Sequence, residues 1–181
     1  MKNRYWRTCV GAAILAMVVP LSAVATDNDG CSNQTLRGDY AFTITGEIVH
    51  PDGTVDTREG VAMTNFDGAG NLTQDDFVMS SSFAGPVPSP DTDPVSAFHT
   101  NETGSYQVNA DCTGKATINF PNGIVITLML VVDESGDRIH TVVNSVTLPN
   151  GKSPGTPIIR SDGRKQNPEK PDGEKPSPLR H

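Results

Sequence analysis

The chain has 181 residues, with 14 Lys and Arg against 21 Asp and Glu and a formal net charge of −7. It is 35% hydrophobic and 6% aromatic, and its 17 Gly and 14 Pro make it rich in turns without collagen periodicity or heptads. Residues 26–159 carry 5 basic and 17 acidic side chains, a net of −12, and such a surface repels phosphate backbones and anionic lipid, which argues against a nucleic-acid partner.

Lys2, Arg4 and Arg7 precede an apolar run from Cys9 to Leu21, broken by Pro20, and the small-x-small site Ala23-Val24-Ala25 follows. That order reads as a secretory signal peptide over residues 1–25, cleaved after Ala25. The run is too short for a transmembrane helix, so no stable membrane span is expected after cleavage. The chain is expected in the periplasm or outside the cell. Cys31 and Cys112 then form an even pair in an exported chain, which reads as a disulfide closing a loop of 112 − 31 = 81 residues. No C-x-x-C spacing exists, and two cysteines with scattered histidines supply no zinc ligand set. Neither a metal nor a cofactor is expected.

From residue 39 onward the signal has period two. Tyr40, Phe42, Ile44 and Ile48 alternate with Ala41, Thr43, Thr45 and Glu47, the pattern of a half-buried strand. Three Pro-[Asp/Asn]-Gly turns punctuate the chain, at Pro51, Pro121 and Pro149. Two D-x-x-G-[N/D] turns, at Asp67 and Asp133, sit between β-rich runs and read as hairpins. The turns predict eight strands, over residues 39–49, 55–66, 72–82, 96–108, 113–120, 124–132, 138–148 and 156–165. A short helix capped by Ser32 fits residues 32–37. The Pro-rich connection over residues 83–94 is a floppy loop or a rim over a binding site. Residues 166–181, Pro- and charge-rich, form a disordered tail after a single barrel domain over residues 26–165.

Short connections force antiparallel neighbours. The fold class expected is therefore all-β, an eight-stranded antiparallel meander closing into a barrel of calycin type, with a β-sandwich as the alternative. The strand from Ile124 to Val132 is apolar on both faces. One face must be core and the other must meet the N-terminal segment, the long loop or a second copy of the chain.

Three stretches carry a resemblance: C-S-N-Q-T-L-R-G-D-Y-A-F over residues 31–42, F-D-G-A-G-N-L-T over residues 66–73, and G-S-Y-Q-V-N-A-D-C-T-G over residues 104–114. Together they resemble a group of small exported bacterial proteins that is similar to the allene-oxide-cyclase-like barrels. The resemblance implies a closed antiparallel barrel and a bacterial source, and it implies no activity. The related plant enzymes isomerise an unsaturated epoxide, and no motif here accepts their catalytic residues.

An eight-stranded barrel can hold one small ligand. The face of Tyr40, Phe42 and Ile44, with Met63 and Tyr106, is the expected lining. His140, with Asn144 on the same strand face, is the polar candidate, and His99 is placed at the barrel mouth. Asp75 and Asp76 lie on opposite strand faces and do not pair. Glu47, turned inward, would be a desolvated acid; turned outward, an ordinary surface group. Calcium loops starting at Asp67 or Asp133 lack the Gly and Glu that an EF-hand needs. There is no nucleophile elbow and no P-loop. The expected role is an exported barrel binding a small apolar ligand without catalysis. The alternatives are a structural or interaction protein of the cell envelope, and an isomerase or cyclase acting on a lipid-derived epoxide.

Overall fold

The computed structural model describes residues 30–88, 92–93 and 96–166. The expected signal peptide, within residues 1–29, and residues 167–181 of the expected tail lie outside the described residues. A 3-10 turn at Asn33–Thr35 comes first, with the Ser32 amide bonded to Thr35 Oγ1 at 3.0 Å. Nine strands follow: β1 (Arg37–Val49), β2 (Val55–Asp67), β3 (Asn71–Ser80), β4 (Gly85–Pro86), β5 (His99–Val108), β6 (Thr113–Asn119), β7 (Val125–Val132), β8 (Arg138–Thr147) and β9 (Thr156–Lys165). Apart from the two-residue β4, each strand pairs antiparallel with its neighbours in the chain, and β9 returns to pair with β1. The result is a closed eight-stranded antiparallel barrel with β4 as an extra strand on β3. Closure leaves no long unpaired edge, which is what makes short, turn-rich strands stable in water.

The two turn types segregate to opposite ends. The Pro-x-Gly turns join β1 to β2, β6 to β7 and β8 to β9 at one end, which the β3–β5 connection shares. Each uses the same device. Asp52, Asn122 and Asn150 accept from the amide two residues on, at 2.9, 3.1 and 3.0 Å, and the Gly takes a positive φ of 85°, 86° and 78°. The D-x-x-G turns lie at the other end. Asp67 accepts from the amides of Ala69 and Asn71 at 2.7 and 2.9 Å, and Asp133 from that of Arg138 at 3.1 Å.

The D-x-x-G end is plugged. Leu36 and Tyr40 are fully buried there, and Phe66 stands edge-on between Tyr40 and Tyr106, with ring centroids 5.3 and 4.9 Å apart. The Tyr40 hydroxyl donates to the Gly136 carbonyl, and that of Tyr106 to Leu36 at 2.8 Å. The disulfide Cys31–Cys112 ties the entering chain to the β5–β6 turn, with Cα atoms 4.9 Å apart. At the Pro-turn end the interior is open instead. Inward residues such as Ile126, Leu128, Val143 and Ile159 are only half-buried, although they face the barrel axis.

Candidate functional site

A cavity of about 440 Å³ occupies the open half of the barrel. Its lining is chiefly apolar: Phe42 and Ile44 from β1, Ile126 and Leu128 from β7, Val143 and Val146 from β8, and Ile159 from β9. The rim is formed by His50, Asn122 and Pro154, and by Phe83, Val87 and Pro88 of the long connection. The described start of that connection therefore forms part of the cavity rim. It is anchored by Val87, whose amide donates to the Val78 carbonyl at 2.8 Å.

One wall is polar, and it is built by β2, β3 and β5. Thr64 Oγ1 donates to Gln74 Oε1 at 2.9 Å, and Gln74 Nε2 donates to Glu102 Oε2 at 2.8 Å. His99 Nδ1 lies 2.8 Å from Asp76 Oδ1, and His99 Nε2 lies 2.8 Å from the Val87 carbonyl. A carbonyl only accepts, so Nε2 carries a proton and Nδ1 faces the carboxyl. All five side chains are buried. Burial pushes the Asp76 carboxyl up, against the pull of the His99 ring. Burial, then the neighbouring Asp76 charge, pushes Glu102 from an ordinary 4.5 up to about 9. Two carboxyls facing each other in a dry wall cannot both ionise without a compensating cation or proton.

The wall depends on a β-bulge. Gln74 pairs with Glu102 and Asp76 with His99, so one residue of β3 faces two of β5, and Asn101 takes a left-handed φ of 64°. In a regular strand residues 99 and 102 would face opposite sides. The extra residue turns both inward.

A second polar group sits at the rim. Asp56 accepts from Ser80 Oγ at 2.6 Å and from the Ser82 amide at 3.0 Å, and is paired with Arg58. Against burial, which would raise it, these two hydrogen bonds and the Arg58 charge hold the Asp56 carboxyl at about 2.

The expected lining divides into three groups. Phe42 and Ile44 do line the cavity. Tyr40 and Tyr106 are buried but belong to the plug below it. Met63 and His140 face the outside, which corrects their placement in the lining. Met63 is 43% exposed, because it pairs with Ala41 on the outer face while Ala62 pairs with Phe42 inside. Strand β2 reverses the usual pattern: Asp56, Arg58 and Thr64 point inward, and Val55, Val61 and Met63 outward. His140 alternates with the inward Ile139 and Thr141 and bonds Asp162 Oδ1 at 2.5 Å in solvent. Asn144 is exposed too, at a β8 bulge that lets Val143 and Val146 both face the cavity. His99 is a buried member of the wall, and Glu47 lies on the outer parity of β1.

Gln74, Asp76 and Glu102 are not among the residues that the sequence pattern picks out for the cavity. The alternation of Leu72, Gln74 and Asp76 in β3 was a readable signal for the first two. Nothing local marks Glu102, because its inward turn depends on the bulge.

Fold and site together define a closed antiparallel barrel with an apolar cavity and one buried polar wall. No known family and no curated protein matches this chain.

Proposed function

We propose that this is an exported binding protein whose barrel holds a small, chiefly apolar molecule, with no catalytic step. The cavity carries the reading: about 440 Å³ falls within the roughly 300–1,000 Å³ of small-molecule sites. Its charged and amide groups gather on one wall and at the rim, and the Thr141 and Ser161 hydroxyls on β8 and β9 bond each other, a layout that suits an apolar body with a single polar end. The disulfide fits an oxidising compartment, and no helix among the described residues is long and apolar enough to cross a membrane. A bacterial source and kinship with the allene-oxide-cyclase-like barrels belong to the same proposal. The isomerase alternative cannot draw on Glu47 or His140, which face outward. The envelope-interaction alternative draws on Met129, Val131 and Val142, exposed side by side on β7 and β8.

The test is uptake of an environment-sensitive fatty-acid fluorophore by the purified chain with its disulfide intact. Uptake at one equivalent is expected, and Ile126→Trp, which fills the cavity mouth, should abolish it without unfolding the barrel. Uptake that persists in Ile126→Trp, or none in the wild type, refutes the carrier reading.

A further inference from the structure

We propose that Asp76, His99 and Glu102 form a site for one divalent transition-metal cation, with Zn2+ the ion the donor set fits. The first observation is geometric. One nitrogen and two carboxylate oxygens, one from each residue, lie within 4.8 Å of one another. Donors about 2.0–2.2 Å from a zinc ion stand about 3–4 Å apart, so the cluster needs only small side-chain shifts to close on an ion.

The second observation is independent of the clustering. Glu102 is 0% exposed, and its Oε1 has no hydrogen-bond partner. Its other oxygen is held by Gln74, itself held by Thr64. A buried carboxylate oxygen oriented by two further side chains and left without a donor suits a ligand that arrives from outside the chain.

The histidine is arranged for the same task. His99 Nε2 donates to the Val87 carbonyl, which fixes the ring and leaves Nδ1 directed at the carboxyls. Metal-bound imidazoles almost always donate their other N–H to such a partner. In the bound state, with both carboxyls deprotonated and the imidazole neutral, the ligands carry two negative charges, so a divalent ion leaves the wall neutral, as an apolar cavity requires. The imidazole favours zinc over calcium or magnesium, which prefer all-oxygen cages. Asp76 and His99 border the cavity, which leaves a coordination position open to it. The site stands whether or not the cavity takes an apolar ligand.

The test uses the full chain without a His tag, disulfide intact, stripped with a chelator and titrated with ZnCl2 by calorimetry. One equivalent is expected. Glu102→Gln and His99→Gln should each weaken it at least about 100-fold, while His140→Ala, which alters the exposed His140–Asp162 pair, should leave it unchanged. Histidine 15N spectra of the wild type read the site directly. Zinc should shift Nδ1 of one buried histidine and leave its Nε2 proton in place. No tight equivalent, zinc retained in Glu102→Gln and lost in His140→Ala, or wild-type spectra in which only exposed histidines respond would each overturn the site. Fluorophore uptake is read separately, so failure of the metal site and failure of the carrier reading are distinguishable.

Discussion

Glu102 makes the protein's stability depend on pH in a direction opposite to that of most carboxylates. With its carboxyl pushed from 4.5 up to about 9, the folded state holds a proton that the unfolded chain releases. Its contribution is full below about pH 4.5 and is lost as pH rises through about 9. Asp76, His99 and Gln74 face it, and Asp75 adds a like charge from the outer side of β3. In EDTA the wild type should be less stable at pH 9 than at pH 5, by on the order of a few kcal/mol from this group. Glu102→Gln cannot ionise and should flatten that limb. Urea unfolding across the range is the measurement, and parallel profiles for the two proteins would refute the assignment. Asp56 has the opposite sign. Held at about 2, it stabilises the fold above its ordinary 3.8, and that contribution is lost as pH falls through about 2.

In the plug, Phe66 is 3% exposed and edge-on to two tyrosines. Phe66→Ala should cost about 3–5 kcal/mol in denaturant unfolding, without entering the cavity's chemistry. Tyr40→Phe removes the donor to the Gly136 carbonyl in the same region, and should cost about 1–2 kcal/mol.

At the scale of the element, β2, β5 and β8 show where hydrophobic patterning stops being a guide to facing. The alternation of β1 is plain in its sequence, and Phe42 and Ile44 face the cavity as it implies. In β2 the apolar residues Val61 and Met63 face water, because hydrogen bonding to β1 fixes the register. A strand lining a cavity with a polar wall has no need to turn its apolar side inward. In β5 the bulge resets parity between His99 and Glu102. Deleting Asn101 leaves only Thr100 between His99 and Glu102, so a regular strand should still pair His99 with Asp76 and keep both side chains inward. The expected outcome is a folded barrel that keeps the zinc equivalent, with His99 still buried in histidine spectra. Loss of zinc from a folded barrel would show that the left-handed backbone at Asn101, and not parity alone, sets the wall.

At the scale of the molecule, the barrel divides into a plugged end and an open end. The plugged end concentrates the fully buried apolar residues, the aromatic stack and the disulfide, so stability and binding are spatially separated. The bridge closes an 81-residue separation, and Cys31→Ser with Cys112→Ser should cost about 2–5 kcal/mol in guanidinium unfolding. Ligand uptake by the folded fraction should persist, because the cavity lies at the other end. Loss of uptake while the barrel stays folded would show that the plug also shapes the cavity.

The sequence by itself determined the strands, their order and the turn chemistry, because period two and Pro-Asn-Gly or Asp-x-x-Gly grammar act over a few residues. It also determined the Cys31–Cys112 pairing, since only two cysteines follow the leader-like segment. Which residues meet inside was decided by the tertiary structure alone. Inward facing depends on the register between strands and on single-residue bulges, which leave little local trace. Asp76, His99 and Glu102 became neighbours through the β3–β5 register and its bulge, and neither is written in the spacing of the residues.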